Sequence, residues 1–162
     1  MIVRTLLRAA GLLLGLVVLM QVITVERDNP PITGTIVTPP AVTSVLRRSC
    51  FDCHSNETVW PWYSRVAPVS WLVAHDVHEG REHLNFSEWR PLARETKQRR
   101  LGDIIEVLRE GEMPPGIYTP LHPEARLSME EVAALQNWAT TALAAELDEV
   151  AVPAAPGVPP SH

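Results

Sequence analysis

The apolar run Ala9–Val25 is the feature that most constrains what the rest of the chain can fold into. Arg4 and Arg8 precede it, and only two polar residues interrupt it. A helix that crosses a bilayer needs about 17–25 apolar residues, so this run is just long enough. The sequence therefore predicts that residues 1–25 form a membrane helix and that the later residues form a separate domain.

Two kinds of export segment share this pattern. A cleaved signal peptide has small residues at positions −3 and −1 of its cut, and the stretch Val22–Arg27 offers no such site. An uncleaved signal anchor is therefore favoured. A buried core helix fits poorly because the run is apolar on all sides. The arginines on its N-terminal side predict a single pass through a bacterial inner membrane, with the domain facing the periplasm.

The charge of the chain is unevenly distributed. The net charge is −5 over 162 residues, and residues 1–25 contain no acid, so the acidity lies in the remainder. An acidic surface argues against binding of DNA or RNA, because proteins hold the phosphate backbone with Lys and Arg. The length allows one domain with a modest core.

Proline divides the remainder of the chain. Residues 26–40 contain four prolines and little helical periodicity, which predicts an extended spacer. Residues 151–162 are rich in Pro and Ala, which predicts a disordered tail. The domain itself is expected over residues 41–150.

Within that domain the apolar periodicity predicts helices and no strands. Four helices are expected, at about residues 41–48, 68–80, 91–109 and 128–147. Gly111 is the expected end of the third, and Ser128 to Glu131 form a capping box at the start of the fourth. The fold class is therefore all-α, a small domain of about four helices behind the membrane helix.

The strongest chemical signal is the motif Cys50-Phe51-Asp52-Cys53-His54. It holds both cysteines of the chain, followed at once by a histidine. This spacing is typical of covalent attachment of haem c. Two thiols three positions apart can each add to one vinyl group of the porphyrin, and the adjacent histidine can then bind the iron. The sequence predicts one haem c, covalently bound through Cys50 and Cys53, with His54 as an iron ligand.

Three other uses of the cysteines are weaker. A thioredoxin-like redox pair lies in an α/β fold, and no strands are predicted here. A zinc site needs four ligands, and no second cysteine pair exists. A disulfide between residues three apart closes too small a loop to add much stability.

The sixth ligand of the iron is predicted to be Met113. It stands in Gly111-Glu112-Met113-Pro114-Pro115, where the two prolines stiffen the loop that would present a soft thioether. His83 is its main rival. The remaining candidates are His75, His78, His122 and Met129.

Other side chains have weaker assignments. His75 and His78 lie three apart on one predicted helix, which is compatible with a second metal site or with a solvated surface. Four tryptophans are expected to line the cofactor: Trp60, Trp62, Trp71 and Trp89. Three arginines are candidates for pairing with the haem propionates: Arg65, Arg81 and Arg90.

These motifs, taken in order, resemble the bacterial haem-binding domain family over about residues 25–147. The stretches that carry the resemblance are Arg48–Thr58, Trp60–Tyr63, His83–Trp89, Gly111–Pro115 and His122-Pro123. The resemblance implies an exported haem c domain held by Cys50, Cys53 and His54. It also implies a small cytochrome c-like fold, with about four helices around one haem. Met113 also follows the motif at a distance similar to that of the methionine ligand in single-haem cytochromes c.

The leading functional hypothesis is a membrane-anchored single-haem cytochrome that transfers electrons in the periplasm and is not an enzyme. Its acidic domain would attract a basic redox partner, periplasmic or in the membrane. A haem sensor or small peroxidase with an exchangeable sixth ligand is the alternative. A haem-free thiol–disulfide protein is a third. The sequence leaves the oligomeric state open.

Overall fold

The computed structural model describes residues 2–148 of the chain. The predicted tail at 151–162, and the last two residues of the predicted domain, lie outside this range. The described helices are α1 (Ile2–Met20), α2 (Pro40–Ser49), α3 (Phe51–His54), α4 (Val69–His83), α5 (Arg94–Glu110) and α6 (Met129–Asp148). Two short 3₁₀ turns lie at Trp62–Arg65 and Pro123–Ala125.

The all-α prediction is confirmed over the described range, which contains no strand and a single isolated bridge between Gly34 and Glu88. The four predicted helices of the domain correspond to α2, α4, α5 and α6, each within a few residues. Gly111 ends α5 in the left-handed conformation, with φ 71°, as its position predicted. The apolar N-terminal helix, predicted over residues 1–25, begins at Ile2 among the described residues and ends at Met20. The short helix α3 was not predicted.

Chain contacts divide the protein into two units. Among the described residues, the first comprises 2–32 and 51–87, and the second comprises 33–50 and 88–148. The first unit therefore holds α1, α3 and α4, and the second holds α2, α5 and α6.

The first unit has a small aromatic core with α4 packed on α3. The rings of Phe51 and Phe86 stack with centroids 5.4 Å apart, and Ala74 and Val77 of α4 are buried. Gly80 allows the close approach of the two helices, because a Cβ at position 80 would lie 2.6 Å from the carbonyl oxygen of Cys53. Only glycine fits this position without displacing backbone.

The segment that follows α1 is hydrogen-bonded to the rest of the first unit. Arg27 donates to the carbonyl oxygen of Ser64 (3.1 Å), and Asn29 donates to that of Thr58 (3.0 Å). Residues 26–32, predicted to be the first part of a spacer, thus lie against the unit.

The second unit is built on the antiparallel pair α5 and α6. Leu101, Ile104 and Leu108 form the buried face of α5, and Leu135 and Ala139 form that of α6. These spacings of three and four residues are those of one helix face, so burial of apolar surface drives the pairing.

Polar contacts fix the direction of this pair. Gln98, near the start of α5, donates to the carbonyl oxygen of Glu146, near the end of α6 (3.0 Å). Arg94 also pairs with the Glu146 carboxylate at 3.8 Å. The two helices therefore run antiparallel.

The predicted capping box at the start of α6 is formed. The backbone N–H of Glu131 donates to Ser128 Oγ (3.2 Å), and the N–H of Ser128 donates to Glu131 Oε2 (2.9 Å). Arg48 of α2 donates to Glu131 Oε1 at 2.7 Å. The hydrogen bond from the Ser128 backbone and that from Arg48 both lower the pKa of Glu131.

Replacing Glu131 should weaken the fold in a pH-dependent way. A carboxylate with a lowered pKa stabilises the folded state above its unfolded-state pKa, and that contribution is lost as the pH falls through the folded-state pKa. We expect Glu131→Gln to lower the stability by about 0.5 kcal/mol at neutral pH, and the deficit to vanish in acid, below roughly pH 4. Thermal melting of the full chain in detergent across this pH range measures it. Glu130→Gln, exposed in the same turn, is the control and should show no such dependence.

Replacing Gly80 should disturb the packing of α4 on α3. The added methyl group of Gly80→Ala meets backbone atoms of Cys53, so we expect a loss of about 1–3 kcal/mol. Gly102→Ala is the control, because a Cβ at this helical position meets nothing within 4 Å. It should raise the stability by about 0.5–1 kcal/mol. Equal effects of the two variants on the melting temperature would contradict the close approach at Gly80.

Candidate functional site

The Cys-x-x-Cys-His motif lies at the end of one helix and in the next. The backbone N–H of Cys50 donates to the carbonyl oxygen of Leu46 (2.8 Å), so Cys50 closes α2. Cys53 and His54 belong to α3. Both cysteines are thiols and both are half-buried. The structure thus divides the motif between the end of α2 and the short helix α3.

The surroundings of Cys53 disfavour a thiolate. Burial, followed by the charges of Asp52 and Asp76, raises the pKa of the Cys53 thiol to about 11. Cysteines that attack disulfides in redox proteins have a lowered pKa, because the thiolate is the nucleophile. The environment of Cys53 therefore suits a thiol that is consumed in a bond better than one that exchanges disulfides.

The imidazole of His54 is held by the carbonyl end of α4. Its Nδ1 lies 2.9 Å from the carbonyl oxygen of Gly80 and 3.1 Å from that of Leu84. A carbonyl oxygen only accepts hydrogen bonds, so Nδ1 carries the proton and Nε2 presents its lone pair. This fixed tautomer is the one that a metal-binding histidine needs when Nε2 is the ligand atom.

The backbone and ring of His54 are also fixed. The N–H of Phe86 donates to the carbonyl oxygen of His54 at 2.8 Å, and the Phe86 ring lies edge-on to the imidazole. The pKa of His54 is lowered, mainly because the imidazole is buried. The ring is therefore neutral at physiological pH, as a ligand must be.

A polar network holds the loop that follows the motif. The N–H of Asn56 donates to Ser87 Oγ (3.0 Å), and Asn85 donates to Asn56 Oδ1 (2.8 Å). All three residues are buried or half-buried, and buried polar groups are satisfied in this way. The network joins the end of the motif to the segment that follows α4.

Arg81 is the centre of a second set of contacts. It donates to the carbonyl oxygen of Ser55 (2.9 Å), to Thr58 Oγ1 (2.9 Å) and to Asn29 Oδ1 (2.9 Å), and it pairs with Asp28 at 3.5 Å. Only 9% of its side chain is exposed. Arg81, which the sequence offered as a partner for a haem propionate, is thus bound in the structure to residues of the protein itself.

Trp60 provides a direct test of whether the first unit fits a haem. Its indole Nε1 is buried and has no hydrogen-bond partner among the described residues. A buried N–H without an acceptor is costly, so it calls for an acceptor that the protein does not provide. A haem propionate is such an acceptor, and Trp60 follows His54 by six residues. The residues of the motif and Trp60 together fit the group.

The other three tryptophans that were expected to line the cofactor do not share the buried, unpaired N–H of Trp60. Trp62 is 77% exposed, and Trp71 Nε1 donates to the carbonyl oxygen of Ile23 (3.2 Å). Trp89 is buried in the second unit.

The candidates for the sixth ligand lie in both units. Met113 is exposed in the loop of the second unit that follows Gly111, and Met129 is 90% exposed at the start of α6. His122 stacks on Tyr118, with ring centroids 4.1 Å apart. As a sixth ligand, Met113 stays a prediction.

The histidines of α4 are at the surface. His83 Nδ1 bonds to the carbonyl oxygen of Glu79 at 2.9 Å. His75 and His78 are exposed, and within residues 2–148 no group of three or more His, Cys, Asp or Glu side chains is placed to hold a metal ion. The second metal site considered for these two histidines has no support in the described structure.

Sequence reasoning missed the residues that orient His54. Gly80 and Leu84 act through backbone carbonyl groups, which any residue has, and Phe86 acts through its N–H and its ring. One signal was available, because a glycine inside a helix lowers its stability and needs a reason.

A family model described as a haem-binding domain matches residues 15–141. No curated protein and no solved structure matches the chain. The matched range includes the whole motif, Trp60 and the contacts of His54. Since it covers well over half of the 162 residues, the chain belongs to the haem-binding domain family.

Proposed function

We propose that this haem-binding domain attaches haem c covalently and transfers single electrons while anchored to a membrane. The observation that carries the proposal is the position of His54. The histidine directly follows two cysteine thiols, its Nδ1 is held by two carbonyl oxygens, and its Nε2 is left to bind iron. When bound, haem provides an iron that alternates between Fe(II) and Fe(III) and so accepts and releases one electron.

Cys50 and Cys53 would hold the porphyrin. Each thiol adds across one vinyl group, so that a carbon–sulfur bond forms and the thiol hydrogen passes to the other vinyl carbon. No oxidant is needed for this addition. The high pKa of Cys53 makes a competing disulfide exchange slow at neutral pH.

His54 and Trp60 would orient the group. The hydrogen bonds at Nδ1 prevent rotation of the imidazole and increase the basicity of Nε2. The buried indole N–H of Trp60 would donate to a propionate oxygen, which satisfies an otherwise unpaired donor.

Met113 is the sixth ligand that we propose. A thioether donates weakly to Fe(III), so a His–Met pair favours Fe(II) and raises the reduction potential. His83 is less suitable, because it belongs to the end of α4 that contacts His54 on its Nδ1 side. Nδ1 lies on the other edge of the imidazole from Nε2, the atom that would hold the iron, so His83 would have to reach around the ring.

The membrane attachment rests on α1. It is exposed along its described length, and it is the one helix within residues 2–148 that is long and apolar enough to cross a bilayer. A signal sequence has the same character. We propose that α1 is retained as a single-pass anchor in a bacterial inner membrane, with the acidic domain in the periplasm, where haem c is attached and a basic redox partner would be attracted.

Covalent attachment is tested by expressing the full chain with a cytochrome c maturation system. We expect a haem-stained band that survives denaturing electrophoresis, because a thioether bond is not broken by unfolding. The variant with Cys50→Ser and Cys53→Ser should lose the band. His78→Ala is a matched control, since it removes an exposed histidine and should keep it. An unstained wild-type band would contradict the proposal.

The sixth ligand is tested by Met113→Ala in the matured protein. We expect loss of the sulfur-to-iron charge-transfer absorption of the oxidised form and a lower reduction potential. Met129→Ala, which truncates a more exposed methionine, should change neither. Carbon monoxide provides a second measurement, because rapid binding by the reduced wild-type protein would indicate an open sixth position and would favour the sensor or peroxidase alternative.

A further inference from the structure

We propose that the first unit rests on the lipid surface through an apolar patch formed by Trp62, Val66, Val69 and Leu72. This membrane-facing patch would seat the haem motif at a defined distance from the bilayer. The inference rests on the proposed membrane anchoring by α1, but it does not depend on the identity of the iron ligands.

The first step concerns where α1 ends. Its 19 residues extend about 28 Å at 1.5 Å per residue, close to the roughly 30 Å thickness of the hydrocarbon core. If α1 spans the bilayer, Gln21 and Ile23, which follow it directly, lie at the interface between lipid and water.

The second step is a pair of hydrogen bonds at this end of α1. Gln21 Nε2 donates to the carbonyl oxygen of Ala67 (3.2 Å), and the N–H of Ala67 donates to Gln21 Oε1 (3.0 Å). Trp71 Nε1 donates to the carbonyl oxygen of Ile23 (3.2 Å). Ala67 and Trp71 are therefore held at the level where the anchor leaves the membrane.

The third step is the exposure of the residues around Ala67. The exposed fractions are 77% for Trp62, 42% for Val66, 43% for Val69 and 46% for Leu72. A cluster of large exposed apolar side chains usually marks a contact surface. Tryptophan in particular is enriched where a protein meets the lipid headgroups.

The fourth step is the distribution of charge along α4. Its first six residues, Val69–Ala74, carry no charge, whereas the rest of the helix contains three acids, one arginine and three histidines. The polarity changes along the length of α4 instead of around it. Such a helix has one end suited to lipid and the other suited to water.

Arg65 fits the same surface. It is the single charged residue within 59–74, it is exposed, and no acid accompanies it. A lone cation beside apolar side chains can reach anionic headgroups, and it gains about 1 kcal/mol near such a surface. The family match, which begins at residue 15 inside α1, also includes this end of the anchor.

Lipid contact is tested with the photo-crosslinking residue p-benzoylphenylalanine in the full, matured chain in liposomes that contain anionic phospholipid. Trp62 and Val69 are replaced one at a time. Glu79 is the matched control, because it is exposed on the same helix as Val69, ten residues or about 15 Å further along. Mass spectrometry of the intact protein identifies the adducts.

We expect phospholipid adducts at positions 62 and 69, with yields several-fold above that at position 79. Yields at positions 62 and 69 no higher than at 79 would overturn the inference and indicate a surface that faces water. Adducts to protein, when the same variants are irradiated in native membranes, would overturn it and indicate a protein-docking surface. Gln21→Ala should lower the yield of lipid adducts at position 69. An unchanged yield would contradict the claim that the hydrogen bonds between Gln21 and Ala67 hold this surface against the bilayer.

Two readouts separate this inference from the proposed function. Resistance to extraction by alkaline carbonate reports the anchor, and its loss would overturn both the anchoring and the membrane-facing patch. Haem staining of the same samples reports attachment at the motif. Retained anchoring and staining without lipid adducts would overturn the patch alone.

Discussion

The site depends on the hydrogen bonds that His54 Nδ1 donates to the carbonyl oxygens of Gly80 and Leu84 at the end of α4. It requires α4 to approach α3 closely, and that approach requires a residue without a side chain at Gly80. The carbonyl oxygen of Gly80 accepts the N–H of Leu84, which ends α4, and it also lies 2.9 Å from His54 Nδ1. The carbonyl oxygen of Leu84, the residue after α4, is the second acceptor, so the chain at the end of this helix orients the imidazole.

The motif is embedded in polar contacts more than in apolar ones. Ser55, Ser64 and Ser87 are fully buried, and few large apolar side chains surround them in the first unit. Hydrogen bonds have strict directions, whereas apolar packing tolerates small shifts. A site that must present Nε2 of His54 in one direction is thus supported by contacts that penalise rotation. The N–H of Trp60 is a buried indole donor for which residues 2–148 provide no acceptor.

The sequence predicted the fold class and the motif for physical reasons. Helices α5 and α6 have apolar faces at regular spacing, and Gly111 and Ser128 are specific signals of helix ends, so both helices were found. The short helix α3 is too brief to show a period, and it was missed. The orientation of His54 was missed because it uses backbone atoms that carry no sequence signal. The seven residues after Val25 look like a linker by composition, yet they form hydrogen bonds with Asn56, Thr58 and Ser64 of the first unit.

With α1 as the anchor that we propose, the two hydrogen bonds between Gln21 and Ala67 would have a consequence for how the protein meets a redox partner. A domain on a loose tether samples many orientations and heights above the membrane, and the chance that its reactive face points outward is small. A domain joined directly to its anchor instead turns only about the membrane normal. Under the proposed anchoring, the search for a redox partner in the same bilayer would be reduced to diffusion in a plane, with the tilt and height of the first unit settled before the two proteins meet.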